Sequence, residues 1–503
     1  MQGLRPGTHD RARSSHTSPC HAFDHNNTEA PAMSDTSPIL IKKGKRAFAR
    51  AAGGIGAALL LACGIGGQAM AREEVDTALI QQAYNYAFPL YKLSQYRWTA
   101  LETSNSRTST TLNRLAHSRA IATPQDRWAA APIVDALYST AWIDLARGPV
   151  LLDTPDTQGR YYVLTLIDFY SNTFFYAGYS STGTQAQKYL LAGPAWQGEV
   201  PAGATLVRAP GNDVYVNLRV LVDGPADQSA ANAVQDGFKI TPAATAGAAA
   251  AAPRVRPVAD DPKNFVDVVN QMLELDPPPA HDARLIERYR AIGICGKDCS
   301  WERLPAPVQA AWRADHAKLE GQFLAAYMAA GAAHGWIEYN PAGSKLGTTQ
   351  MRDYDLRASA LALGMGMLGL ARTEADYWIT LSDSRGQALS GGRRYRLSLP
   401  PGGLPARAFW SVALYTVEKE GQFLSGNAHD RYHVSSRTPG LVANADGTID
   451  IWLQPTPPTG PRQANWLPTP ADGGPFELFA RAYVPGDTVL NGDFKMPPVQ
   501  ALP

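Results

Sequence analysis

The sequence predicts a mainly β protein in which two β-sandwich regions flank a helical segment. Residues 161–168 alternate between apolar faces as a strand does. Residues 262–381 instead repeat their apolar side chains at helical spacing. Alternation returns from residue 394 to the end. Because these short β segments are separated by Gly and Pro turns, they favour sandwiches over a parallel sheet.

Composition limits the classes of partner. The 503 residues include 46 Lys and Arg against 45 Asp and Glu, so the formal net charge is +1. A chain so close to neutral lacks the basic surface that nucleic acid requires, and we expect no nucleic-acid partner. The sequence holds no G-x-S-x-G, H-E-x-x-H or P-loop motif, and it suggests neither a cofactor nor a metal.

The N-terminal region predicts export. A basic cluster at 42–50 precedes an uncharged stretch at 51–67, which ends in Ala69-Met70-Ala71. These are the parts of a cleavable signal peptide, so residues 1–71 are assigned to a leader and signal, and the mature protein is expected in the periplasm or outside the cell. Either Met1 or Met33 fits as the initiator. Leu60-Leu-Ala-Cys63 also resembles a lipoprotein box, and membrane association is expected only if Cys63 is lipidated.

Two local patterns are informative in the chain after the signal. An early helix is predicted from Glu73 to Tyr96, punctuated by Pro89. Gly364–Gly369 matches G-x-G-x-x-G, but no strand precedes it, so a close-packed helix is the better interpretation.

The chain after the signal is predicted to contain four segments. They are an N-terminal β-sandwich domain (72–240), an Ala/Pro linker (241–259), a helical domain (260–390) and a C-terminal β-sandwich domain (391–503).

Cys295 and Cys299 are the cysteines outside the N-terminal region. Their spacing differs from that of a zinc knuckle, and no second ligand pair accompanies them. In an oxidising compartment they would form one disulfide closing a small loop, and two free thiols are the alternative.

Two acidic candidates lie in the N-terminal region. Asp135 and Tyr138 form one group, and Asp168 closes the alternating strand. A carboxylate desolvated at a strand end could act as a general acid or base. The alternative for Asp168 is a turn cap that accepts hydrogen bonds from nearby backbone N–H groups.

The C-terminal candidates are Arg431, Asn465 and Trp466. Arg431 could clamp a carboxylate or phosphate, or it could bond carbonyls of a neighbouring loop. Trp466 beside Asn465 could stack a sugar ring, and core packing is the alternative. His429 and His433 flank Arg431, but on an extended segment they stand ~13 Å apart and do not chelate one ion.

Several short motifs jointly resemble a known family. They run over nearly the whole predicted mature chain, and they are Tyr86–Pro89, Asp135–Ser139, Trp142–Leu145, Gly159–Tyr162, Gly193–Gly198, Asp223–Pro225, Phe409–Ser411, Asp430–Tyr432, Ser436–Thr438, Asn444–Gly447, Asn465–Pro468 and Pro497-Pro498. They resemble a bacterial exported family that pairs two domains of unknown function, numbered twelve fifty-four and twelve fourteen. The resemblance implies an N-terminal immunoglobulin-like sandwich, a middle α-helical insertion and a C-terminal jelly-roll-type sandwich, and it implies no particular reaction.

The resemblance also marks one residue and one departure. His117 falls where members carry a histidine after an asparagine, here Asn113. Members place Asn before the Asp of the first motif, whereas this chain has Ile133 and Val134 there, and Ala136 replaces a Thr. A polar site of the family at that position would therefore be altered here.

Two functions remain open at this point. The first is binding of a small polar or carbohydrate-like ligand in the cell envelope, for which Asp168, Asn465 and Trp466 are the ligand candidates. The second is an envelope enzyme of hydrolase or lyase type, with Asp135, Tyr138, His117 and Arg431 meeting in a pocket between the two sandwiches. Convergence of these four side chains would favour the enzyme. Self-association is a further option, because sheet edges need cover.

Overall fold

The computed structural model of the protein describes residues 75–103, 108–127, 131–243, 253–331, 335–363, 369–418 and 421–503. The predicted signal peptide with Cys63 and both candidate start sites lies outside these residues. So do 364–368 of the G-x-G-x-x-G segment and 244–252 of the predicted linker. Residues 72–503 form one compact unit.

The N-terminal β region contains two sheets. Sheet A has the strand order β1-β2-β8-β4-β5, and sheet B has the order β7-β6-β3-β9. The strands are β1 (Ala116–His117), β2 (Ala136–Asp144), β3 (Val150–Thr154), β4 (Tyr162–Ile167), β5 (Thr173–Gly178), β6 (Gln187–Ala192), β7 (Thr205–Arg208), β8 (Asp213–Leu221) and β9 (Lys239–Pro242).

Sheet A is buried on both faces. Leu164 and Leu218 face sheet B and share an apolar core with Leu152 and Leu191. Every residue of β2 and of β8 is buried. Strands covered on both sides lose the alternation of apolar and polar residues, because neither face meets water.

Helices cover the far face of one end of sheet A. The helices are α1 (Thr77–Glu102), α2 (Gln228–Gly237), α3 (Pro262–Leu275), α4 (Ala283–Tyr289), α5 (Ala306–Gly331), α6 (Tyr354–Ala362) and α7 (Asp487–Leu490). Phe88 of α1 lies 5.2 Å from Phe323 of α5 between ring centroids, and Trp142 of sheet A belongs to the same core.

Local sequence explains where these helices begin. The Asp76 carboxylate accepts a hydrogen bond from the Leu79 backbone N–H and caps α1. Asp261 caps α3 in the same way, and Pro262 occupies its first turn. Pro89, expected to punctuate the first helix, instead lies inside α1, which continues to Glu102. The tertiary packing of α1 against α3, α5 and α6 outweighs the loss of one backbone hydrogen bond there.

The C-terminal β region again contains two sheets. Sheet C has the order β10-β11-β18-β13-β14 with β15 also on β13, and sheet D has the order β17-β16-β12-β19. The strands are β10 (Ile337–Glu338), β11 (Ala375–Thr380), β12 (Tyr395–Leu399), β13 (Ala406–Glu418), β14 (Gly421–Leu424), β15 (His433–Ser435), β16 (Ile449–Gln454), β17 (Trp466–Pro468), β18 (Phe476–Pro485) and β19 (Gln500–Ala501).

Sheets C and D share an apolar core. Val412 and Leu478 of sheet C pack with Leu397, Ile451 and Leu453 of sheet D. The fold is therefore a mixture of helix and β-sheet, with several sheets and a helical middle region. The sequence correctly places that helical region, but its last part, β11, is a strand that pairs with β18.

Cys295 and Cys299 form a disulfide, with their Cα atoms 5.4 Å apart. This outcome agrees with the first of the two alternatives drawn from the sequence. Among the helices that the structure describes, none combines the length and the hydropathy needed to cross a bilayer.

Candidate functional site

Sheets A and C meet through polar side chains. On sheet C, Ser411, Arg481 and Tyr377 lie opposite one another on three adjacent strands. On sheet A, Tyr138 lies opposite Arg219. Arg219 Nη1 donates a hydrogen bond to Tyr377 Oη over 3.0 Å and so links the two sheets. We call the buried group here the interface cluster, and its members are Asp135, Tyr138, Arg219, Tyr377, Ser411, Tyr415, Arg481 and Tyr483.

Asp135 ties the two β regions together. Its Oδ2 accepts a hydrogen bond of 2.7 Å from Ser411 Oγ. Its Oδ1 lies 3.2 Å from Nε2 of His433. One carboxylate before β2 therefore contacts β13 and β15.

Tyr138 belongs to the same cluster. Burial raises the pKa of its hydroxyl, although the positive charges of Arg219 and Arg481 act in the opposite direction. The Arg219 guanidinium lies 5.8 Å from the Tyr138 ring centroid. The hydroxyl therefore keeps its proton at neutral pH.

The other two predicted catalytic residues lie elsewhere. His117 Nδ1 is 2.8 Å from Ser139 Oγ, which β2 presents on the face opposite to Tyr138. Burial lowers the pKa of His117, followed by the effect of Arg119. Arg431 Nη2 donates to the Ala464 carbonyl. The structure thus brings Asp135 and Tyr138 together but not His117 and Arg431, since each of these two has a local partner.

Asp168 caps a turn. Its Oδ1 accepts hydrogen bonds of 2.9 Å from the backbone N–H groups of Tyr170 and Asn172, and Oδ2 accepts one of 3.1 Å from Asn172 Nδ2. Burial raises the pKa of Asp168 to about 6, while the hydrogen bonds from Asn172 act to lower it. Its oxygens are therefore engaged in holding the turn after β4.

Asn465 and Trp466 also have structural partners. The Asn465 amide accepts from Val442 N–H at 2.9 Å and donates to the carbonyls of Val442 and Asp450 at 2.7 and 3.0 Å. Trp466 is buried, and its Nε1 donates to the Gln454 carbonyl over 2.8 Å. Both residues serve the C-terminal β region, and neither offers a face to a ligand.

The sequence patterns did not predict the charged members of sheets A and C. Arg219 and Arg481 are buried. Two acids lie beside them. Burial raises the pKa of Glu374 to about 7, with the Tyr161 hydrogen bond and Arg219 acting to lower it. Burial raises the pKa of Glu477 to about 8, opposed by Arg481. The available signal was an arginine between apolar residues of a strand, as in Phe479-Ala-Arg-Ala-Tyr483.

A cavity of about 990 Å³ lies between the helices and sheet C. Its wall is contributed by α1, α5, α6, β10, β11 and the segment 494–496. The aromatic residues of the wall are Phe323, Tyr327, Trp336, Trp378 and Phe494. Such a volume is large enough for a small organic ligand.

Polar side chains form a row along the cavity wall. Gln81 Nε2 donates to Asn85 Oδ1 over 2.6 Å, and Asn85 Nδ2 donates to Asp355 Oδ1 over 2.7 Å. At the two ends of this row, Gln81 Oε1 and Tyr327 Oη are buried and have no hydrogen-bond partner among the residues that the structure describes. Burial raises the pKa of Tyr327, so its hydroxyl remains a donor. The wall thus combines aromatic surface with unused polar atoms.

A second cavity, of about 660 Å³, lies near Arg160 and Arg437. Arg160 Nη1 pairs with Asp227 Oδ2 at 2.5 Å, and Arg437 pairs with Asp223. These ion pairs occupy the charged groups, so the first cavity is the better candidate. In the part of the chain that the structure describes, no set of three or more His, Cys, Asp and Glu side chains is placed to hold a metal ion.

Comparison with known proteins identifies two families. Residues 112–242 match the model of a protein of unknown function, DUF1254, and residues 374–487 match another, DUF1214. The chain therefore carries both domains of the pair that its motifs resemble. No curated protein matches the sequence.

Two solved structures are similar. The VPA0106 protein of Vibrio parahaemolyticus is 22% identical with a TM-score of 0.65, and the match covers 85% of this chain and 100% of that one. This likeness supports a shared fold. An uncharacterized protein of Burkholderia cenocepacia is 14% identical over 86% of this chain and 91% of its own, and its TM-score of 0.41 supports no conclusion.

Proposed function

We propose that this protein, a chain that pairs the DUF1254 and DUF1214 domains, is an exported protein that binds a polar, carbohydrate-like ligand of the cell envelope. The ligand occupies the cavity between the helices and sheet C. The observation that carries the proposal is the wall of that cavity, where aromatic rings lie beside hydrogen-bonding atoms that have no partner in the described part of the chain.

Sugars need this combination of surfaces. The C–H face of a pyranose ring packs on an aromatic side chain, and its hydroxyl groups bond to amides and carboxylates. Phe494 and Trp378, with ring centroids 5.6 Å apart, supply the first kind of surface. Gln81 Oε1 and Tyr327 Oη supply an acceptor and a donor. The carboxylate of Asp355, whose residue is exposed, adds a further acceptor.

The proposal changes the predicted ligand residues but keeps the predicted ligand class. The polar atoms of Asp168, Asn465 and Trp466 form hydrogen bonds within the fold. On the cavity wall, Gln81 Oε1 and Tyr327 Oη have no partner among the described residues. The proposed ligand site therefore lies at the junction between the helical region and sheet C, and not at the strand ends that the sequence indicated.

Two features support export. The basic, uncharged and Ala-Met-Ala segments form a complete signal. The Cys295–Cys299 disulfide fits an oxidising compartment. Intact-mass analysis of periplasmic and membrane fractions, with and without reduction, tests this part. We expect a periplasmic chain that starts at Arg72 and gains the mass of two hydrogens on reduction, and an uncleaved cytoplasmic chain would contradict export.

The type of β-sandwich in each β region is a further part of the proposal. In each β region two sheets share one apolar core, which supports a sandwich in both places. We propose that the first is immunoglobulin-like and the second of jelly-roll type, with the helices inserted between them. An experimental structure with a different strand connectivity in either region would contradict this assignment.

A matched pair of tryptophan substitutions tests the cavity. Ala326 lines it, and the neighbouring Ala325 on α5 does not; both are exposed. Ala326→Trp should fill the entrance and weaken binding at least tenfold, while Ala325→Trp should bind as the unaltered protein does. The probes are disaccharides and tetrasaccharides from peptidoglycan and from outer-membrane polysaccharide, measured by calorimetry. If no probe binds, or if both variants bind equally well, the cavity is not the site.

An enzyme of hydrolase or lyase type is the second candidate. Asp135 and Tyr138 converge with Arg219 and Arg481, an arrangement that favours acid–base chemistry on an anionic group. The cluster is closed, so a substrate would need an opening between sheets A and C. Once a substrate is known, Asp135→Ala should abolish turnover, and full activity of this variant would exclude the assignment.

A further inference from the structure

Two buried arginines in the interface cluster have incomplete hydrogen bonding. Arg481 uses Nη2 to donate to the Ala131 carbonyl at 3.1 Å and to Tyr415 Oη at 3.0 Å. Its Nε and Nη1 have no partner among the described residues. Arg219 donates from Nη1 to Tyr377, and its Nε has no partner there either. Buried N–H groups of a cation are normally satisfied, so these positions require an explanation.

The nearby carboxylates do not neutralise the two guanidinium groups. Asp135 directs its oxygens at Ser411 and His433, not at an arginine. The pKa of Glu374 is raised to about 7 and that of Glu477 to about 8, chiefly by burial. Near pH 6 both acids are therefore largely neutral. Two permanent positive charges then face one negative charge in a region without water-exposed surface.

A tyrosine hydroxyl completes the set of donors. Tyr483 Oη is buried and lacks a partner among the described residues. Burial raises the pKa of Tyr483, while Arg219 and Arg481 both act to lower it. Both guanidinium groups therefore exert their charge on the same hydroxyl. The phenol remains protonated and can donate a hydrogen bond.

We propose that Arg219, Arg481 and Tyr483 form a buried binding site for a small anion, a halide or a compact oxyanion such as a carboxylate or phosphate. Unused N–H and O–H donors from two sheets are the chemistry that anions require, and low local dielectric strengthens each contact. The anion neutralises the excess charge and joins sheet A to sheet C. This site is separate from the cavity of the proposed function and does not depend on it.

Thermal unfolding of the whole mature protein at pH 6 in matched sodium salts tests the site. Chloride, formate and phosphate are the probes, and gluconate, which is too bulky to enter, provides equal ionic strength. Because a ligand that binds the folded state raises the unfolding temperature, we expect at least one probe at 100-fold its dissociation constant to raise it by about 2 °C or more over gluconate. The anion with the largest effect identifies the preferred class. Equal unfolding temperatures in all four salts would overturn the proposal.

Two variants separate a site from a general salt effect. Arg481→Gln should lose the difference between anions. Arg254→Gln, which removes a half-buried arginine that is already paired with Asp213, should unfold at lower temperature but keep the difference. An unchanged response in Arg481→Gln would also overturn the proposal. If that variant does not fold, the comparison of the four salts on the unaltered protein still tests the proposal.

Discussion

Two groups of arginines in the described part of the chain differ in their charge partners. In the first, Asp213 at the start of β8 pairs with Arg254 at 2.7 Å and with Arg97 of α1 at 3.7 Å. In the second, the interface cluster, Arg219 and Arg481 have no comparable carboxylate. We call the first arrangement the Asp213 group.

The Asp213 group has a structural purpose. It fixes the segment around Arg254, which belongs to the predicted linker (241–259), to β8 and α1. Asp276 lies beside it and accepts hydrogen bonds from the backbone N–H groups of Asn212 and Asp213 at 2.6 and 3.1 Å. Burial and then the charge of Asp213 raise the pKa of Asp276 to about 8, so Asp276 is protonated at neutral pH and adds no second negative charge.

The contrast indicates what the unpaired arginines are for. Arg97 and Arg254 have the Asp213 carboxylate within 3.7 Å, although the Nε of each also has no hydrogen-bond partner among the described residues. Arg219 and Arg481 have no carboxylate within ion-pair distance in that part of the chain, and buried charges without a counter-charge lower stability unless an anion binds there. We therefore infer that the Asp213 group stabilises the fold, whereas the interface cluster binds a ligand.

Breaking the Asp213 group should have the largest effect. Asp213→Asn removes the carboxylate that pairs with the buried Arg97 and the half-buried Arg254, and we expect it to lower the free energy of unfolding by roughly 3–5 kcal/mol. Chemical denaturation measures this loss. The control is Asp236→Asn, which breaks an exposed pair with Arg119 and should cost only about 0–1 kcal/mol. Similar losses in the two variants would contradict the structural role of the group.

Removing the one carboxylate of the interface cluster should have an intermediate effect. Asp135→Asn deprives Ser411 or His433 of its partner, and we expect a loss of about 1–3 kcal/mol in the free energy of unfolding. The same change increases the excess positive charge, so the unfolding temperature should depend more strongly on the anion present. A variant with native stability and a weaker anion response would count against the charge balance described for the cluster.

The smallest effect concerns pH. Burial raises the pKa of Glu477 above its usual 4.5, to about 8. Its neutral form therefore stabilises the fold fully below pH 4.5, and this contribution is lost as the pH rises through 8. Glu477→Gln should flatten the decline of stability between pH 5 and 8, as measured by denaturation at several pH values. An identical decline in both proteins would show that Glu477 titrates normally.

The sequence predicted the segments in which apolar residues repeat with a clear period. Residues 161–167 show why: Tyr161 and Val163 pack towards sheet C, and Tyr162 and Leu164 towards sheet B, as their alternation indicates. Helix α3 was equally clear, because Phe265, Val269 and Met272 form a single apolar stripe. Strand β11 was missed because its sequence carries no period; burial on both faces is not the reason, since the predicted strand β4 is fully buried as well.

The site was predicted only in part for a related reason. Asp135 and Tyr138 stood out because they lie in a motif rich in polar residues. Arg219 and Arg481 did not, since an arginine in a strand usually faces water, and the apolar residues beside each arginine are a weak sign that both faces are covered. The cavity wall could not be predicted from the sequence, because Gln81, Tyr327 and Phe494 are distant along the chain and come together only through tertiary packing.

One measurement tests the contrast between the two arginine groups most directly. The mature protein would be crystallised at pH 6 in sodium bromide, and anomalous diffraction would be recorded at the bromine absorption edge. The account predicts an anomalous peak within hydrogen-bond distance of Arg481, Arg219 or Tyr483 and none beside Arg97 and Arg254. A peak absent from the interface cluster, with bromide bound only at the surface, would contradict it.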